Sequence, residues 1–325
     1  MRTLNLLVGA AAVFAAGLGS VQAQEGVKTR SAVSESFDRA GAEAAKGDFA
    51  AAIADYSKVV ELEPKNSGAL NGRGIAEDAG GDHVSAIADF DKALALDPAN
   101  AALYVSRAQA KASLADRAGA LADFDKALAH DPASALDYVF RGRAKQNFDD
   151  DAGAEADFTK AASLEPKMAL AYAYRASERY DRLAWKDALE DYRKVCELTP
   201  SHQDYARLRI WLIRARTGER AAADAELSRF LAEKDVPGQE WLRDIGAFLL
   251  ARESDADQLA KLVSSIALQA DPGRRGVVYF FAGTKRLIDG DKAAAVEILK
   301  ECLATGRKGK QSYRSATLEL KRIRQ

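Results

Sequence analysis

Few residues in this chain could assemble into a reactive site. Its histidines are His83, His130 and His202, and its cysteines are Cys196 and Cys302. No histidine stands at ligand spacing from a cysteine or an acid, so none is assigned a catalytic or metal-binding role. Asp149, Asp150 and Asp151 form an acidic run, but it lacks the alternating spacing and the glycine of a calcium loop. A solvated turn that caps a helix is the expected reading. The chain has no glycine-rich phosphate loop, Gly-x-Ser-x-Gly elbow or HExxH motif. No enzymatic activity, metal or cofactor is expected. The cysteines read as packed helix residues three hairpins apart, whereas a disulfide needs α-carbons within about 7 Å.

Charge chemistry is written more insistently. Arg39, Arg73, Arg107, Arg141 and Arg175 recur every 34 residues, and so do Asp55, Asp89, Asp123, Asp157 and Asp191. One reading is a basic stripe that binds a ligand. The expected one is structural ion pairing, each Arg meeting an Asp within or between repeats. Removing one partner would then leave a partly buried charge uncompensated.

The elements that carry these ladders repeat as well. "DYSKVVELEP" at 55–64 returns as "DFDKALALDP", "DFDKALAHDP", "DFTKAASLEP" and "DYRKVCELTP", with prolines at 64, 98, 132, 166 and 200. A second helical segment precedes each copy, so every unit is two helices. The proline closes the second, because it lacks an N–H and its ring blocks continuation.

Within each unit, small residues and one aromatic hold fixed places. Position 4 is Leu70, Tyr104, Tyr138 and Tyr172; position 8 is Ala40, Gly74, Ala108, Gly142 and Ala176. Position 20 is Ala52, Ala86, Ala120, Ala154 and Ala188; position 24 is Tyr56, Phe90, Phe124, Phe158 and Tyr192. Position 27 is Val59, Ala93, Ala127, Ala161 and Val195. Small residues let two helices approach closely while the aromatic fills the space beside them. This 34-residue pattern resembles the tetratricopeptide repeat (TPR), departing from it by the Arg at position 7, where the family usually has Leu. The resemblance implies an all-α, right-handed superhelical solenoid of antiparallel helix pairs. Five repeats are assigned over 33–202, at 33–66, 67–100, 101–134, 135–168 and 169–202.

Residues 203–306 read as degenerate helix pairs. A better repeat returns at 276–305, with Tyr279, Gly283, Gly290, Ala295 and Cys302 in register. Residues 307–325 hold a last helix with apolar Tyr313, Ala316, Leu320 and Ile323 on one side. Such a helix would cap the open end of the stack. This tail, with Trp211 and Trp241, is similar to bacterial envelope TPR adaptor lipoproteins that recruit cell-wall endopeptidases and a periplasmic protease. The chain has no cysteine near residue 23 for a lipid.

The N-terminus is set apart. Arg2 is the only charge before Glu25, and between them lie "LLVGAAAVFAAGL" and the small residues Val21 and Ala23. This predicts a signal peptide at 1–23, followed by a linker at 24–32. Its alternative is an uncleaved anchor. An exported, periplasmic protein is expected, with no integral span in the mature chain. A formal net charge of −1 gives no general attraction to nucleic acid, which disfavours an RNA-binding helical-repeat reading.

Binding is therefore the expected function. The resemblance places a groove on first-helix positions, here Asn71, Ile75, Asp78, Val105, Gln109, Val139, Arg143, Gln146, Asn147, Ser177, Tyr180 and Asp181. This mixed surface suits an extended or helical segment of a protein partner, possible partners being envelope enzymes or assembly factors. It lacks the Lys and Asn set that clamps a chaperone's C-terminal carboxylate. Residues 272–325 carry a net +8 against −9 for the rest. That asymmetry leaves open a solvated cap, an anionic target or head-to-tail self-association as a homo-oligomer.

Overall fold

The computed structural model describes residues 30–200, 203–233, 240–251, 256–267, 271–306 and 311–324. The segment read as a signal peptide, most of the expected linker, and His202 lie outside the described residues. Every regular element described is an α-helix. The chain divides into two compact units, one ending at Ala133 and the other beginning at Ser134. The boundary therefore falls between the third and fourth repeats, inside the stretch that the sequence presents as one uninterrupted array.

The first unit holds α1 (30–46), α2 (Phe49–Leu62), α3 (Ser67–Gly80), α4 (His83–Leu96), α5 (Ala101–Ser113) and α6 (Arg117–His130). The helices after α1 start where a short polar side chain takes up free N–H groups. Asp48, Asn66, Asp82, Asn100 and Asp116 cap α2 to α6 in this way. The close approach inside each hairpin comes from the small positions. Ala52, Ala86 and Ala120 are fully buried, with Phe90 and Phe124 beside them. At Gly74 even a methyl group would come within 2.7 Å of the Phe90 ring.

The second unit holds α7 (Ala135–Asn147), α8 (Asp151–Leu164), α9 (Ala169–Asp181), α10 (Trp185–Leu198), α11 (Asp204–Arg216) and α12 (Arg220–Glu233), then α13 (Glu240–Leu250), α14 (Ala256–Ala267), α15 (Pro272–Ile288), α16 (Lys292–Ala304) and α17 (Gln311–Ile323). Its core runs from Ala176 through Trp211, Phe248 and Phe281 to Leu320. The stack closes on itself here. α15 packs on α11, α13 and α14, and α17 packs on α15, α16 and also on α9. α17 is thus more than the one-sided end cap its apolar spacing implies. Ala316 and Leu320 are buried, but so are the polar Ser312, Ser315 and Glu319.

The turn inside each repeat needs a residue with positive φ. Gly47 and Gly81 provide it in the first two repeats, whereas Ala115, Asp149 and Leu183 adopt φ near +60° in the next three. The acidic run is placed by the same local needs. Asp149 makes the turn, Asp150 caps α8 by accepting from Gly153 N at 3.0 Å, and Asp151 begins the helix.

Candidate partner-binding surfaces

The Arg and Asp ladders form one device repeated five times. Arg107 donates from Nε and Nη2 to the two oxygens of Asp123 at 2.8 and 2.6 Å. The same fork joins Arg39 to Asp55, Arg73 to Asp89, Arg141 to Asp157 and Arg175 to Asp191. A third nitrogen reaches back one repeat: Arg73 to Ser57, Arg107 to Asp91 and Arg175 to Thr159. The guanidiniums of Arg107, Arg141 and Arg175 also lie over the rings of Tyr104, Tyr138 and Tyr172, within 5.6 Å. Only a planar fork can satisfy all of these contacts at once. The Asp carboxylates are buried. Hydrogen bonds from Arg39 and Lys58 hold Asp55 below the usual carboxylate range. Each ladder arginine is thereby committed to structure.

A second cation completes each site, and its source changes along the chain. Lys58 and Lys92 serve Asp55 and Asp89 from the same helix. Lys111, Lys145 and Arg179, all at position 11, serve Asp123, Asp157 and Asp191 instead. Position 11 in the first two repeats is Glu43 and Glu77. Burial, reinforced by Asp89, pushes Glu77 up to about 7.

The residues expected to line a groove separate into open and covered ones. In the first unit Ile75 is 47% exposed, Asn71, Asp78 and Gln109 are half-buried, and Val105 is buried. Asp78 lies 2.7 Å from Nδ1 of His83, an acid–histidine contact across the turn that sequence spacing does not advertise. His130 stacks on Tyr104. Among the described residues no cluster of histidines, cysteines and acids could hold a metal.

In the second unit Arg143 and Asn147 are exposed, the former over the ring of Tyr174. Val139, Gln146, Ser177, Tyr180 and Asp181 are buried, and so is Val105 in the first unit; this corrects their expected place on an open groove. Val139 packs with Phe158 in the hairpin core. Ser177 shares a hydrogen bond with the Tyr192 hydroxyl. Tyr180 lies against Trp185 and Phe280, and burial lifts its hydroxyl to about 12.

The polar residues of this face meet α17. Arg314 donates to Asp151 at 2.7 Å, to the Gln146 carbonyl at 3.0 Å and to Glu178 at 3.5 Å. Its Nε lies 3.3 Å from Asp181. Asp181 accepts from Ser315 Oγ at 2.7 Å and from Gln311 Nε2 at 2.9 Å, and Arg322 donates to its carbonyl oxygen. Gln146 donates to Glu178 at 2.6 Å. Burial pushes Glu178 up to about 7 and raises Asp181 as well.

Two interior cations complete this region: Arg209 stands one 34-residue step after Arg175, whereas Lys285 lies off that step. Arg209 is fully buried among Tyr180, Tyr205 and Phe280, donating to the Tyr205 hydroxyl at 2.8 and 3.1 Å. Lys285 donates to Asp289 at 2.6 Å. Cys196 and Cys302 are buried free thiols, which burial pushes up to about 11 and 12. Cys302 lies 3.1 Å from the Gly276 carbonyl.

A family model described as a tetratricopeptide repeat matches residues 38–66. Among solved structures, a tetratricopeptide repeat protein from Parabacteroides merdae is 17% identical with a TM-score of 0.55, covering 89% of this chain and 98% of that one. PilW, described as a widely conserved type IV pilus biogenesis factor, is 20% identical with a TM-score of 0.53, covering 62% of this chain and 95% of its own. Pseudomonas aeruginosa pilF is 15% identical with a TM-score of 0.51, covering 63% and 95%. At such identities the likeness establishes the fold alone. No curated protein matches the chain.

Proposed function

We propose that the chain, which has the tetratricopeptide-repeat fold, is a non-enzymatic adaptor that takes a helical or extended segment of a protein partner on its first-helix faces. The observation that carries this reading is the docking of α17. Residues at positions 12 and 13 of repeats 4 and 5, Gln146 and Asp181, already hold a helix by polar contacts. The corresponding face of the first unit offers Ile75, Asn71 and Gln109 to a partner.

The N-terminal apolar run supports export, with the periplasm as the place of action. PilW and pilF share the fold, and a role in envelope assembly or in recruiting envelope enzymes agrees with export. Self-association through the basic C-terminal end is the competing account. It loses support because Arg314 and Arg322 are bonded inside their own unit.

Capture from envelope extract tests the reading, with the full mature chain run beside an Ile75→Ala/Gln109→Ala variant. A discrete partner held by the first and lost by the second, at unchanged melting temperature, is the expected result. Recovery of the chain alone, at a size that grows with concentration, would favour self-association.

A further inference from the structure

α17 presents two chemically different faces to its surroundings. Ala316 and Leu320 join the apolar core beside α15 and α16. Toward α7–α9 the contact is polar: Gln311, Arg314, Ser315 and Arg322 meet Gln146, Asp151, Glu178 and Asp181. The repeat hairpins, by contrast, bury alanines and aromatics beside their Arg–Asp forks. Polar groups that pair on contact and hydrate when apart are typical of surfaces that separate.

The receiving side is also built against the grain of the repeat. Position 10 is Ala42, Ala76, Ala110 and Ala144 in the first four repeats, but Glu178 in the fifth. Position 13 turns from Ala79, Ser113 and Asn147 to Asp181. Glu178 and Asp181 are buried, and with Asp151 they place three carboxylates around one guanidinium. Two buried acids cost stability unless a cation answers them. The acceptors approach Arg314 from several directions, including a backbone carbonyl, which suits a planar fork better than a compact ammonium.

We propose that the α7–α9 face is a slot that reads an arginine-bearing helix, with α17 as its resident and displaceable occupant. The partner helix it takes carries an arginine followed by a small hydroxyl residue, as Arg314 and Ser315 do. This rests on the reading that first-helix faces bind partner segments. It goes further by giving the chemistry of the segment and by showing what holds the slot closed.

A labelled synthetic peptide of residues 311–324 is the probe, added to the full chain. The Arg314→Ala chain, whose own helix is weakened, should bind the peptide at least tenfold more tightly than the wild type does. A peptide carrying Arg314→Lys should lose most of that binding. Amide hydrogen exchange on the unaltered chain provides a second reading, since it needs no variant to fold. α17 amides should exchange at least tenfold faster than those of α9 and α11. If a folded Arg314→Ala chain ignores the peptide, or if α17 exchanges in step with α9 and α11, then α17 is a permanent core element and the proposal fails. No partner enters these measurements, so their failure is separate from failure of the adaptor reading.

Discussion

Asp181 and Ser315 are 134 residues apart in sequence, yet the serine hydroxyl donates to the carboxylate at 2.7 Å in the interior of the second unit. That contact shows how the basic C-terminal end is used. Part of its charge answers acids on repeats 4 and 5, so the asymmetry between the ends of the chain is partly consumed inside the second unit. Asp181→Ala should therefore loosen α17 while leaving the first unit unchanged. The expected sign is faster exchange of α17 amides, with no change at α3 and α5.

The ion-pair ladder makes a sharper demand. Asp123 is buried and accepts from both Arg107 and Lys111. Removing it leaves two cations without their shared acid, a change that costs on the order of 3 kcal/mol for a buried pair. Denaturant unfolding of Asp123→Ala should show a loss of that size in the first unit. A loss below about 1 kcal/mol would mean that the pair is hydrated and dispensable.

Close approach in the hairpins is equally testable. Ala120 is fully buried where α6 meets α5. Ala120→Leu should cost about 1–3 kcal/mol by forcing the helices apart. An unchanged melting temperature would contradict the packing described.

One substitution should stabilise. Leu183 has φ +64° and is largely exposed, so it bears a left-handed conformation without burying its side chain. Leu183→Gly should gain about 1 kcal/mol, since the left-handed region costs residues with a Cβ roughly that much. The gain should be visible as a raised melting temperature of the second unit.

The pH dependence has a definite sign. Glu178 sits near 7 in the folded protein, above its ordinary 4.5, because burial disfavours its charge. A raised carboxyl contributes stability that is full below about 4.5 and is lost as pH rises through about 7. Lowering pH from 8 to 6 should therefore stabilise the second unit, with Asp151, Asp181 and Arg314 facing the same group. Glu178→Gln should flatten this dependence relative to wild type. Glu77 contributes a parallel trend in the first unit, so the comparison must be between these two chains. Asp55 acts oppositely, and its contribution is lost only in acid, below the ordinary carboxylate range.

Much of the scaffold is legible in the sequence because it repeats. Ala52, Ala86, Ala120, Ala154 and Ala188 must all solve one packing problem, so their agreement exposes it. The forks from Arg39 to Arg175 are legible for the same reason. What does not repeat is harder to read. Tyr180 and Asp181 occupy groove positions by register, but α15 and α17 fold back over them, and that closure is set by contacts a hundred or more residues away. Arg209 continues the 34-residue arginine step, but the matching acid position is Ala225, so the step alone does not reveal its burial among aromatic rings. Glu178 had a signal available: it is a glutamate at a position that is alanine in four earlier repeats. The break after Ala133 leaves no mark on the 34-residue step.

Partner binding is expected first on the open face of the first unit. A photoreactive residue at position 75, in the full chain inside its native cell, tests that face, with position 62 on α2 as an equally exposed control. A discrete adduct to one other protein from position 75, with none from position 62, is the expected outcome. Equal adducts from both positions, or none from position 75, would contradict partner binding on this face.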